Sequence, residues 1–198
     1  MSVAQAILRS VRARGRGAVF TPKDFSRFGP RASIDQALSR LARDGSIRRV
    51  DRGIYTLPWV HPRLGPLAPG ADAVVGALAR QSGKPVQLTG AASANALHLS
   101  TQVFARAIWL TYGPNRSVML GRLPIILQHV DPADAPCLGT VAGMAISALR
   151  YIGAGNIAPA DVTRLKTGLR PDDKRRMYRV RNRLPDWLRD VVLQVGSA

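Results

Sequence analysis

Glutamate does not occur in this chain of 198 residues, cysteine occurs once, and histidine three times. A single cysteine, Cys137, excludes an internal disulfide framework and any cysteine-based zinc finger. His61, His98 and His129 are scattered without metal-ligand spacing, so they read as satisfied or solvated histidines, and no metal or other cofactor is expected. Long apolar runs are missing as well. The longest, Gly139 to Leu149, is far short of the roughly 18–20 residues that a membrane span needs. Arginines thread through the apolar residues of Met1 to Arg14, leaving no secretory h-region there. A cytoplasmic protein without a membrane role is expected. Catalytic signatures are also lacking: there is no Walker glycine loop, no Gly-x-Ser-x-Gly elbow and no His/Cys cluster. Asp131 and Asp134 stand beside prolines, as turn formers do, and His129 next to them adds little. Gly196-Ser197 is not followed by the Asp-x-Asp of a nucleotidyltransferase. The chain reads as a non-enzyme.

What is abundant is positive charge. Twenty-nine Lys and Arg stand against twelve acidic residues, all Asp, for a formal net charge of +17. Twenty-five of the cations are Arg. Codon usage can exchange Lys for Arg, but it creates no net charge. Residues 1–57 carry twelve basic and four acidic side chains, residues 58–160 seven and three, and residues 161–198 ten and five. The surplus is densest in the first third, which is where a polyanion-binding module is expected.

Residues 3–14 have Val3, Ala6, Ile7 and Val11 at helical spacing, with Arg9, Arg12 and Arg14 on the other sides. Ala18 to Phe20 suggests one brief strand. Thr21-Pro22-Lys23-Asp24 is a helix start: a cap, a proline at the first helical position and a capping-box acid. Gly29-Pro30 ends that helix early. A second helix runs from about Arg31 to Asp44 with Ile34, Ala37, Leu38 and Leu41 on one face, and Gly45 stops it. Ser46 to Val50 and Ile54 to Leu57 are two strands around the turn Asp51-Arg52-Gly53. Helix, strand, short helix, turn, helix and ribbon, in that order, predict a winged helix-turn-helix over residues 1–57.

Four prolines and two glycines between Pro58 and Gly70 predict an extended connector and a domain boundary. Residues 71–198 predict a second α+β domain. A small-residue helix covers Ala71 to Gln81, and Ala91 to Leu97 forms a helical insert. Short runs at Val86 to Leu88, Ala107 to Thr111, Val118 to Leu120 and Ile125 to Val130 suggest an antiparallel sheet, with a turn at Gly113-Pro114-Asn115. Helices at Gly139 to Tyr151, Val162 to Leu169, Asp172 to Arg183 and Asp186 to Val195 complete an α+β chain with a helical C-terminus.

The segment Gln36-Ala-Leu-Ser-Arg-Leu-Ala-Arg-Asp-Gly-Ser-Ile-Arg-Arg-Val-Asp-Arg-Gly-Ile-Tyr55 resembles the N-terminal winged helix of AbiEi-type antitoxins of type IV toxin–antitoxin (abortive infection) systems. Leu88-Thr-Gly-Ala-Ala-Ser-Ala-Asn-Ala-Leu97 and the helical tail resemble the second half of that family. The resemblance implies a first domain that binds operator duplex DNA and represses its operon. It implies a second domain that counteracts a nucleotidyltransferase-like toxin.

Arg31, Ser33, Gln36 and Arg40 form the candidate base-reading face, because Arg can pair bidentately with guanine and Gln with adenine in the major groove. A solvated helix face is the plainer alternative. Lys23, Arg43, Arg49 and Arg52 are candidate phosphate or wing contacts, against plain surface charge. Lys174, Arg175, Arg176, Arg179, Arg181 and Arg183 fit a second polyanion contact, a face for an acidic partner, or a solvated helix. Three other readings stay open: a transcriptional regulator without a toxin, a nucleic-acid enzyme docking through the winged helix, and an RNA-binding module using the basic tail. An inverted-repeat operator would be read by a pair of chains.

Overall fold

A computed structural model describes residues 2–101 and 107–196. The chain is α+β, with small antiparallel sheets and a helical C-terminus. Its contacts form two units. The first comprises Met1–Lys84 with Ser117–Ile125, and the second Pro85–Arg116 with Ile126–Ala198.

In the first unit, α1 (Val3–Arg14) starts in a capping box: the Ser2 hydroxyl accepts from the Gln5 amide and the Gln5 side chain accepts from the Ser2 amide. Strand β1 (Val19–Phe20) leads into a 3₁₀ helix, Pro22–Phe28. The Asp24 carboxylate accepts from the Thr21 amide at 2.8 Å, the capping arrangement expected of Thr21-Pro22-Lys23-Asp24. Helix α2 (Arg31–Arg43) buries Ile34, Ala37, Leu38 and Leu41. Strands β2 (Arg48–Asp51) and β3 (Ile54–Thr56) then form a hairpin, and β1 joins it in the order β1-β3-β2. Gly53 at φ +72° supplies the left-handed residue that the turn needs. Ile7, Val11, Phe20, Phe25, Leu38, Ile47 and Tyr55 make the core, where the Phe25 and Phe20 rings meet edge to face at 5.4 Å.

Two features depart from the sequence reading. Residues 58–70 are more than an extended connector, because β4 (Trp59–His61) and β5 (Gly65–Leu67) pair antiparallel within them. Helix α3 (Ala71–Ser82) belongs to the first unit, not to the second as a boundary at 58–70 would place it. It packs on β1 and the 3₁₀ helix, burying Val74, Val75, Ala77 and Leu78. Arg80 reaches the Val19 carbonyl at 2.9 Å and the Asp24 carboxylate at 3.0 Å.

A four-stranded sheet runs in the order β6-β7-β9-β8, with β6 Val86–Leu88, β7 Ala107–Thr111, β8 Arg116–Leu120 and β9 Leu123–His129. In the second unit α4 (Gly90–Ala96) crosses α5 (Val141–Ile152) closely. A Cβ on Gly90 would stand 2.7 Å from the Ser147 carbonyl oxygen, and one on Gly143 would collide with the Cys137 carbonyl. Buried Gln87 ties the layers together, donating to the Ser147 hydroxyl at 2.8 Å and accepting from the Gly139 amide at 3.0 Å. The helix expected from Gly139 starts two residues later, because Thr140 caps it by accepting from the Gly143 amide. Helices α6 (Pro159–Gly168), α7 (Pro171–Val180) and α8 (Asp186–Gly196) follow. Leu165, Met177, Leu188 and Val192 from them close over Ile146 and Leu149. Residues 181–183, expected to continue α7, form a 3₁₀ turn instead.

Candidate nucleic-acid interface

At about 3.6 residues per turn, burial of Ile34, Ala37, Leu38 and Leu41 forces the opposite side of α2 into solvent. That side carries Ala32, Gln36, Ser39, Arg40 and Arg43, all exposed. The side chains of Gln36, Arg40 and Arg43 have no hydrogen-bond or ion-pair partner among the described residues, which leaves their donors available to a ligand. Gln36 and Arg40 therefore stand where the sequence reading put them, and Arg43 joins them on the same row. Ser33 sits half-buried on its shoulder. Arg31 lies on the flank, with its Nε 2.8 Å from the Asp35 carboxylate. Ala32 and Ser39 complete the row and were not singled out, although the spacing 32, 36, 39, 43 was readable as one face.

The hairpin presents Arg49 and Arg52 to solvent. Arg52 sits at its turn, where the Asp51 carboxylate accepts from the Arg52 amide at 2.6 Å and leaves the guanidinium outside. Arg49 Nε donates to the Asp51 carbonyl at 3.4 Å, along the strand. Lys23, read from the sequence as a phosphate contact, is exposed and already holds one partner. Its ammonium donates to the Gln81 carbonyl at 2.9 Å, in the last turn of α3, where a cation meets the negative end of a helix.

A basic depression of about 460 Å³ lies on the second unit, lined by Pro171, Lys174, Arg175, Tyr178, Arg179 and Gly196. The structure divides the basic run of residues 174–183 between α7 and the 3₁₀ turn that follows it. Arg175 pairs with Asp172, and the Arg181 guanidinium stacks 3.8 Å from the Tyr178 ring while donating to the Tyr178 carbonyl. The side chains of Lys174, Arg176, Arg179 and Arg183 have no such partner among the described residues. Burial pushes the Cys137 thiol above its ordinary range, although nearby Arg176 and Arg183 pull the other way. A raised thiol pKa disfavours the thiolate, the nucleophilic form.

A second basic depression in the first unit, about 520 Å³, is lined by Arg9, Arg14, Arg27, Ser10 and Phe28. Its arginines come from two elements, α1 and the 3₁₀ helix, so no local motif announced it. The Asp131 carboxylate accepts from the Ala133 amide at 2.8 Å, the role of a turn former. His129 Nδ1 lies 2.9 Å from the Gly113 carbonyl. Among the described residues, no three His, Cys or Asp side chains converge on a point that could hold a metal, and no helix is long and apolar enough to cross a membrane.

Residues 6–177 match the family of unknown function DUF6088. No curated protein matches the chain. Among solved structures, the Rv2827c protein from Mycobacterium tuberculosis is similar at 20% identity and a TM-score of 0.43, over 98% of this chain and 77% of that one.

Proposed function

We propose that this chain, which belongs to the DUF6088 family, is a cytoplasmic, sequence-specific duplex-DNA-binding protein without catalytic activity of its own. Helix α2 reads base edges in the major groove and the β2–β3 hairpin acts as the wing. The observation that carries this reading is the exposed row Gln36, Arg40 and Arg43, unpartnered among the described residues, on the helix that precedes a hairpin tipped with Arg52. Gln and Arg at successive turns of one helix face suit adenine and guanine edges. The surrounding positive charge supplies the sequence-independent part of the affinity.

The resemblance to AbiEi-type antitoxins extends the proposal to a biological role. The protein represses its own operon and restrains a nucleotidyltransferase-like toxin through the second unit. Selection from a random duplex library tests the first part: the full-length protein enriches one motif, and Gln36→Ala and Arg40→Ala change it. Unchanged motif preference in both variants contradicts base reading by α2. Co-expression with a toxin encoded by the adjacent reading frame tests the second, with rescue of growth as the expected result.

A further inference from the structure

Residues 59–67 form a hairpin whose tip is built rather than slack. Its register pairs Trp59 with Leu67, Val60 with Pro66 and His61 with Gly65, leaving Pro62-Arg63-Leu64 as the apex. His61 Nδ1 accepts from the Arg63 amide at 3.2 Å and the Leu64 amide at 3.3 Å, and Gly65 at φ +71° closes the turn. The prolines at 62 and 66 remove further backbone freedom. At the root, Arg48 on β2 donates to the Leu67 carbonyl at 3.0 Å, and the Trp59 ring lies over Gly17. The hairpin is therefore fixed to the strand that also carries Arg49.

The apex presents two side chains. Leu64 is 72% exposed, the most exposed large apolar residue of the described chain. Arg63 is exposed, and its guanidinium has no partner among the described residues. The apex residues Pro62, Arg63 and Leu64 are themselves exposed, so holding them rigid favours a contact made by the apex. An Arg beside a projecting apolar side chain, on a narrow two-stranded ribbon, suits a minor groove: the cation lies in its negative potential and the apolar tip wedges between base steps. A protein partner fits less well. A stable interface needs on the order of 800 Å² per partner, whereas the hairpin offers Trp59, Val60 and Leu64 alone as exposed large apolar residues.

We propose that the Arg63–Leu64 apex is a second DNA contact, which enters the minor groove and unstacks one base step. The proposal rests on the DNA-binding reading and adds to it a deformation that neither α2 nor the wing requires. The test uses full-length protein and the duplex it selects from a random library, with 2-aminopurine substituted at successive adenines. Wild-type protein raises the fluorescence at one step outside the motif read by α2, and netropsin, which fills the minor groove, competes with it. Leu64→Ala abolishes the rise while still binding the duplex. Arg63→Ala makes the salt dependence shallower by about one in log–log slope. If the wild type binds the duplex but neither variant alters the fluorescence or the slope, the apex does not contact DNA. Variants that instead disturb binding of a protein partner also overturn it. If the wild type selects no duplex at all, the DNA-binding reading falls first and this contact falls with it.

Discussion

The Arg80 guanidinium donates to the Asp24 carboxylate at 3.0 Å, joining α3 to the 3₁₀ helix across 56 residues of sequence. Arg14 approaches the same carboxylate from α1 at 3.4 Å. Three elements of the first unit, α1, the 3₁₀ helix and α3, are thus pinned at one acid whose side chain is only 6% exposed. Burial pushes the Asp24 pKa up, but the Thr21 amide and the two guanidiniums outweigh it and leave it below the ordinary carboxylate value.

A depressed folded-state pKa gives stability that is present above the unfolded value and is lost as pH falls through the folded one. Asp24→Asn should therefore destabilise the first unit near neutral pH by roughly 1–3 kcal/mol, the cost of losing a charge-assisted network in a buried setting. The gap to wild type should narrow on acidification, as the wild-type carboxyl protonates. Urea unfolding followed by near-ultraviolet signals at pH 7 and pH 3 measures both. A gap that widens toward acid contradicts the assignment.

Fragment boundaries give a second test. Residues 1–57 lack α3, Arg80 and the Leu67 carbonyl that holds Arg48, whereas residues 1–84 contain all of them. The longer fragment should melt at least about 5 °C above the shorter, since 1 kcal/mol shifts the midpoint of a domain this small by roughly 4–8 °C. Circular dichroism melts decide it, and equal midpoints would show that α3 adds nothing to the first unit.

Within α2, the proposed reading helix, the residues should separate. Arg40→Ala and Gln36→Ala should each cost roughly 1–3 kcal/mol of discrimination between the selected duplex and an unrelated one. Arg31→Ala should cost less, because its guanidinium is already engaged by Asp35 at 2.8 Å. Arg52→Ala should weaken both duplexes alike. Competition binding with the two duplexes provides the measurement, and an equal loss in all four variants contradicts base reading by α2.

The second unit is tested by its closest helix crossing. Gly90→Ala places a methyl 2.7 Å from the Ser147 carbonyl oxygen, so α4 and α5 must separate. The expected cost is roughly 1–3 kcal/mol, as for other overpacked sites. DNA affinity should hold while any restraint of a toxin weakens. Loss of DNA affinity with toxin restraint intact would reverse the proposed division of labour.

Local chemistry was legible in the sequence, and long-range partnership was not. The cap at Thr21 and Asp24, the turn at Gly53 and the apolar face of α2 each depend on residues within four positions, and each is present. The β4–β5 hairpin was hidden because its strands have three residues each, one of them Pro66, and its root is held by Arg48 from another element. The allegiance of α3 depends on Arg80 meeting Asp24, which no local pattern encodes. In the candidate site, the exposure of Gln36 and Arg40 on one face of α2 was legible from helical spacing. The tie between Lys23 and the Gln81 carbonyl was not legible, because the two lie 58 residues apart.

Salt-dependent fluorescence anisotropy of the full-length protein on duplex DNA tests the central claim most directly. If the exposed cations of α2 and the hairpins neutralise about six phosphates, the plot of log affinity against log salt falls with a slope on the order of −5. A slope near zero, or no binding at low salt, would contradict a DNA-binding role for this protein.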